Sequence, residues 1–141
     1  MANLKFIDIK TVLVNLSNIR FKLNYFIVPD FQTNSSKLWM FANQWVQALN
    51  YSTTNNSKIL KQHRVPNEPL YTINEKIRKH NYIVINDSKQ TKTRILSCSK
   101  FLDEMSVIQL FLSSRQPITR NVFLNDLKKI FEEIRKANQI W

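Results

Sequence analysis

Basic side chains are the residues of this chain best suited to chemistry, and the chemistry they favour is the binding of a polyanion. The 141 residues include 21 Lys and Arg against 10 Asp and Glu, a formal net charge of +11. Residues 1–50 carry a net charge of +3, residues 51–100 carry +7 and residues 101–141 carry +1. Lys and Arg that bind a phosphate backbone release its counterions, so such an excess predicts a nucleic-acid partner. A solvated charged face is the alternative interpretation.

Three basic clusters lie in the middle of the chain. Lys58, Lys61 and Arg64 are spaced i, i+3 and i+6, can share one side of a short helix, and are expected to contact phosphates. The densest basic run, residues 76–80, is expected to track phosphates. The third cluster lies in and beside the polar turn at residues 87–93, where it either enters a groove or forms a flexible charged tip.

Enzymatic, metal-dependent and nucleotide-cradling functions find little support. The chain has no glycine, which P-loops, dinucleotide fingerprints, kinase Gly-rich loops, KH domains and RRMs all require. One cysteine and two histidines show no zinc-ligand spacing. The acidic pairs Asp103-Glu104 and Glu132-Glu133 are accounted for by helix capping and solvation. We therefore expect no catalysis, no metal and no cofactor.

Cysteine use and hydropathy predict a soluble intracellular protein. The single Cys98 cannot form an internal disulfide, which favours a reducing compartment, and its apolar surroundings predict an inert core thiol in a strand. No apolar run approaches the roughly 18–20 residues of a membrane span. The first ten residues lack the apolar middle region of a secretory signal, so no membrane partner is expected.

Periodicity predicts one α+β domain, in which a small antiparallel sheet with hairpins packs against three to four short helices and a longer C-terminal helix. Strands are predicted at 11–16, 20–28, 37–41, 81–86 and 94–98, the last two as a hairpin. Helices are predicted after the N-cap Asn43, at 58–63, from the N-cap Asp103 to residue 112, and from Pro117 onward. Asn50 is expected to end the first helix in the left-handed conformation that usually needs glycine.

Apolar spacing predicts the core. Met105, Ile108 and Leu112 share one helix face. The last helix carries an apolar stripe, and Trp39 and Trp45 are expected to pack inside. The stripe consists of Phe123, Leu127, Ile130, Phe131 and Ile134. Because the aromatic residues are not interleaved with the basic run, duplex DNA is favoured over single-stranded DNA or RNA, which remain alternatives.

Five segments resemble the Bro-N domain, the N-terminal domain of baculovirus repeated-ORF proteins that phage antirepressors share. The first is a Trp-containing strand and helix at 38–51 that ends Ala-Leu-Asn-Tyr, and the second is a Lys-apolar-apolar run at 58–63 that ends in His. The third is Phe-Leu-Asp-Glu at 101–104. The last two are a Ser-Arg-x-Pro segment within 110–117 and a segment with Ile-Arg near its end at 130–136. They follow in order over roughly residues 20–136, most clearly 37–136, which suggests a single Bro-N-like domain at 1–141. Asn50, Ser106 and Glu132 replace family Gly, Gly and Pro, as in a diverged member.

The resemblance implies a non-enzymatic DNA-binding domain of a large double-stranded DNA virus, in the host nucleus or associated with the virion. His63 matches a family position and either bonds the last carbonyls of its helix or contacts a phosphate or base. Arg115 and Arg120 match or adjoin the Ser-Arg-x-Pro element, with packing against the helix start at 103–104 as the alternative. Asn55 and Asn56 either reach base edges or are ordinary turn residues. The predicted DNA contacts are Asn55, Asn56, Lys58, Lys61, His63, Arg64, Lys76, Arg78, Lys79, Lys89, Lys92, Arg94, Arg115 and Arg120.

Two other functions stay open. The lost glycines and the end of the chain where Bro-N ends are also compatible with a structural or interaction protein, such as a nucleocapsid component. That protein would form homo-oligomers or bind another viral protein. The basic, Asn- and Ile-rich composition is compatible with an organellar ribosomal protein that binds RNA.

Overall fold

A five-stranded antiparallel sheet forms the middle of the fold. The computed structural model describes residues 3–33, 35–51, 56–85, 95–119 and 122–140. In these residues the strands are β1 (Lys5–Asp8), β2 (Lys10–Leu16), β3 (Ile19–Pro29), β4 (Ser36–Phe41), β5 (Glu68–Pro69), β6 (Tyr82–Ile85) and β7 (Lys100–Leu102). The sheet order is β2-β3-β4-β7-β5, and β1 pairs with β6 in a separate parallel pair.

Helices cover the sheet. Over the described residues they are α1 (Ala42–Ala48), α2 (Asn56–Gln62), α3 (Leu70–Arg78), α4 (Glu104–Ser113) and α5 (Leu124–Ala137), with a 3₁₀ turn at Pro117–Thr119. The predicted mixed fold of sheet, short helices and a longer C-terminal helix is confirmed. None of the helices in these residues is long and apolar enough to cross a bilayer.

Both faces of the sheet are buried, each under its own hydrophobic core. Successive side chains of β4 point to opposite faces. Leu38 and Met40 enter one core with α1, α2, α4 and α5, on what we term the first face. Trp39 and Phe41 enter the other core with α3 and the β1–β6 pair, on the second face. The chain passes from the first face to the second between α2 and α3, through the edge strand β5.

Helix ends in this glycine-free chain adopt a conformation that usually needs glycine. Asn50 has a φ of 66°, as predicted. Its N–H donates to the carbonyl of Gln47 at 3.0 Å, and the N–H of Tyr51 donates to the carbonyl of Val46 at 3.3 Å. These are the paired bonds of a Schellman motif. The same motif ends α5, where Gln139 has a φ of 56°.

Predictions that depend on the residue pattern within a single helix or strand are confirmed in the following cases. The strands predicted at 11–16, 20–28, 37–41 and 81–86 are present within a residue or two. Asp103 caps α4, with its carboxylate accepting the Ser106 N–H at 2.8 Å. Trp39 and Trp45 are buried as predicted.

Two boundary predictions and one core prediction are wrong. Asn43 is not an N-cap, because β4 runs directly into α1 and places Phe41 at the cap position. Pro117 does not open the last helix, because α5 begins at Leu124 after the 3₁₀ turn. Phe123 is therefore an N-cap residue that is 69% exposed, while the rest of its predicted stripe is buried.

The hairpin predicted from strands 81–86 and 94–98 is also wrong. β6 pairs in parallel with β1, so Phe6 lies opposite Ile83. Ile95 is buried, but the chain then turns, with the Ser99 hydroxyl accepting the Leu96 N–H at 3.0 Å. Cys98 is consequently exposed in a turn and is not the predicted core thiol.

Two of the three residues of the apolar face predicted for α4 are solvent-exposed, while Ile108 is half-buried against the first core. Met105 is 72% and Leu112 is 73% exposed, because the helix buries the opposite side, including Val107 and Leu110, against the first face. Sequence analysis also missed β1, β5, α3 and β7, which are short or depend on pairing with distant parts of the chain.

Replacing Gln139 with glycine should stabilise the fold. A non-glycine residue in the left-handed region costs about 1 kcal/mol relative to glycine, so Gln139→Gly should raise the free energy of unfolding by about that amount. Gln139→Ala is the matched control, because it removes the same side chain without freeing φ. Chemical denaturation measures both variants, and an equal gain in the alanine variant would contradict the backbone explanation.

Candidate nucleic-acid interface

The predicted cations of α2 lie outside the first core and face solvent. Leu60 and Val65 are buried in that core and fix the orientation of the helix. Lys58 and Lys61 are exposed on the remaining surface. The apolar residues thus determine which side of α2 presents charge, as the i, i+3 spacing predicted.

Arg64 occupies a strained position at the end of α2. Its φ is 53°, in the left-handed region where glycine is preferred. Its N–H donates to the carbonyl of Lys61 at 3.1 Å, and the N–H of Val65 donates to the carbonyl of Leu60 at 2.8 Å, which completes a Schellman motif. The guanidinium is exposed. The strained backbone therefore presents an exposed cation just after the helix that carries the other two.

Tyr51 joins two distant segments of the chain next to these cations. Its hydroxyl lies 3.2 Å from Nε2 of His63, at the end of α2, and 3.1 Å from Oγ of Ser114, just after α4. The His63 tautomer decides which atom donates in the first contact. Nε2 thus contacts the tyrosine, while both alternatives for His63, a bond to the last helix carbonyls and a contact with a phosphate or base, stay predictions.

An open cavity of about 460 Å³ adjoins this junction. Its described lining residues include one cation, Arg115, and no carboxylate; the full lining is Tyr51, Gln62, His63, Ser113, Arg115 and Gln116. The Gln116 amide donates to the carbonyl of Asn50 at 3.3 Å, which ties the segment after α4 to the end of α1. Hydroxyl, amide and guanidinium donors around a concave surface are suited to binding phosphate oxygens.

The ion pairs in the described part of the chain involve other cations. In the described residues the ion pairs are Lys37–Asp103, Lys76–Glu68 and Arg135–Glu104. Lys58, Lys61, Arg64 and Arg115 therefore make no ion pair within this part of the chain. Arg115 follows the C-terminal end of α4, whereas Asp103 and Glu104 lie at its start and contact other cations, so the alternative packing role of Arg115 is wrong.

The fold separates the predicted contacts into two groups. Lys58, Lys61, His63, Arg64 and Arg115 belong to elements of the first face, which we term the α2 site. Asn56 is the half-buried first residue of α2.

The basic run 76–80 belongs to the second face. Lys76, Arg78 and Lys79 are exposed there, and Lys76 pairs with Glu68 at 2.5 Å. The predicted contacts Asn55, Lys89, Lys92, Arg94 and Arg120 lie outside the described residues.

Gln62, Ser113 and Gln116 were missed as members of the site. Only the Bro-N-like pattern pointed to their neighbourhood, because its segments at 38–51, 58–63 and 110–117 supply the Tyr51, His63 and Ser114 contact. Among the described residues no group of three or more His, Cys, Asp or Glu is arranged to hold a metal ion.

Comparisons of the chain with protein-family models, with curated proteins and with solved structures found no match. The Bro-N resemblance therefore stays a prediction based on the motifs quoted above.

The substitution Arg64→Gly should raise the stability of the fold and weaken the binding of DNA. Glycine relieves the left-handed backbone and should raise the free energy of unfolding by about 1 kcal/mol. If Arg64 contacts phosphate, the same change should weaken binding of duplex DNA several-fold at 100 mM salt. Gln139→Gly relieves the same strain on α5 and is the control for binding. Equal DNA affinity of Arg64→Gly and the parent chain would remove Arg64 from the interface.

Proposed function

We propose that this protein is a non-enzymatic domain that binds duplex DNA through its backbone phosphates at the α2 site. The observation that carries the proposal is the set of four exposed cations, Lys58, Lys61, Arg64 and Arg115, none with an acidic partner in the described residues. Unpaired surface cations retain their full attraction for a polyanion.

The biological setting that we propose follows the Bro-N resemblance. It is a DNA-binding protein of a large double-stranded DNA virus, acting in the host nucleus in a regulatory or genome-associated role. Three Bro-N-like segments that are far apart in the sequence meet where Tyr51 contacts His63 and Ser114. Their common location in the folded chain supports this setting.

The release of counterions from DNA determines how strongly the affinity should depend on salt concentration. Four phosphate contacts on B-DNA predict a slope of about −3 to −4 for log K against log salt concentration. Affinity should then fall about a hundredfold between 50 and 200 mM salt, with modest sequence preference, because phosphate contacts carry no base information.

Charge reversal tests the location of the site. Lys58→Glu with Lys61→Glu should weaken duplex binding by more than tenfold and reduce the salt slope by about two, since two phosphate contacts are lost. Fluorescence anisotropy with a labelled duplex measures both quantities. Lys128→Glu with Lys129→Glu changes the net charge equally at exposed positions of α5. An equal loss in this control would show that net charge, and not the α2 site, drives binding.

A second candidate function, a structural or interaction protein, is favoured by the exposed apolar face of α4. Met105 and Leu112 lie two helical turns apart on the same side of α4 and are both more than 70% exposed, so they are available for contact with another protein. If this function holds, light scattering should show an oligomer that Met105→Ser with Leu112→Ser disperses. A monomer at high protein concentration would count against self-assembly.

A further inference from the structure

Aromatic residues from separate parts of the chain meet on the second face. Phe31, after β3, stacks on His80, after α3, with ring centroids 3.8 Å apart and planes 10° apart. Tyr82 of β6 lies beside them, with its centroid 5.5 Å from that of Phe31. Phe31 is 40% exposed and His80 is exposed, so the stack stands at the surface.

The segment that presents Phe31 is held by hydrogen bonds. The Asp30 carboxylate accepts the Gln32 N–H at 2.9 Å and the Thr33 hydroxyl at 2.7 Å. These bonds, that of Thr33 first, lower the pKa of Asp30 below its ordinary value. The carboxylate is therefore ionised at neutral pH and keeps the turn in place, so the ring is presented without a large ordering cost.

Both cations and carboxylates lie near the stack. Arg78 and Lys79 end α3 immediately before His80, and both are exposed. The Lys5 ammonium lies 5.4 Å from the Tyr82 ring centroid. A groove of about 400 Å³ runs beside the stack, with Trp39, Lys37 and Lys76 in its lining together with the carboxylates of Asp30 and Glu68. Lys76 neutralises Glu68 directly.

We propose that this cluster, which we term the Phe31 site, binds unpaired bases of a single-stranded polynucleotide. Every base has a π-face that can stack on an aromatic ring, and Arg78 and Lys79 are placed to contact the adjoining phosphates. Bases inside a duplex are stacked on one another and cannot reach such a platform, so the ligand differs from that of the α2 site. Because the two sites belong to opposite sheet faces, one chain can hold a duplex and a single strand together.

The proposal revises one inference from the sequence. Phe31 and Tyr82 are separated from each other by 51 positions, and the basic run shows no interleaved aromatic residues. The β3–β4 connection brings Phe31 to the end of that run. The linear pattern therefore favoured duplex DNA over the single-stranded alternatives, whereas the folded chain places aromatic rings and cations close together, as binding of a single strand requires.

Anisotropy titrations with labelled oligo-dT and oligo-U, neither of which forms a self-duplex, test the Phe31 site. The parent chain should bind at least one of them, and the stronger ligand identifies the strand as DNA or RNA. Phe31→Ala should weaken this binding about tenfold and leave duplex binding unchanged. Phe31→Trp should restore it, and Phe123→Ala, which removes another exposed ring at the start of α5, should have no effect.

The outcomes separate this proposal from the proposed function. Oligonucleotide binding without duplex binding would support the Phe31 site and remove the α2 site. Failure of the parent chain to bind either oligonucleotide would overturn the Phe31 site. So would equal binding by the parent and a folded Phe31→Ala variant, or complete displacement of oligo-dT by saturating duplex.

Discussion

The burial of both faces of one sheet is the constraint on which the rest of the structure depends. β3 and β4 pair from Tyr25 opposite Met40 to Pro29 opposite Ser36, and successive residues such as Leu38 and Trp39 enter two separate cores. Each core must be covered, so helices gather on the first face while α3 and the β1–β6 pair cover the second. A chain without glycine achieves this by placing residues such as Asn50 and Arg64 in the left-handed conformation at helix ends.

This two-core arrangement also distributes the charge. The basic cluster of α2 and the basic run at the end of α3 follow each other in the sequence. Because the chain passes from the first face to the second at β5, the two lie on opposite faces of the sheet. The first face presents four cations that make no ion pair within the described residues, and one of them, Arg115, lines a cavity, whereas the second face presents cations near stacked rings. The proposed duplex and single-strand sites thus both result from the passage of the chain between the two faces at β5, and neither needs a catalytic group.

How much the sequence predicts depends on how far apart the interacting residues lie. The strands at 11–16 and 20–28 and the Asp103 cap follow from local patterns, and they are present as expected. The side of α4 that is buried depends on distant partners, so Met105 was assigned to the wrong environment. The contact from Tyr51 to Ser114 spans 63 positions and joins two loops, which no periodicity indicates. The parallel pairing of β1 with β6 was missed for the same reason.

Amide hydrogen exchange of the full chain, with and without a saturating short duplex, tests the central claim most directly. We expect protection of the backbone from Lys58 to Val65 and from Ser113 to Gln116 on duplex binding, with little change in α5. Protection confined to α5, or spread evenly over all exposed amides, would contradict the placement of the DNA at the α2 site.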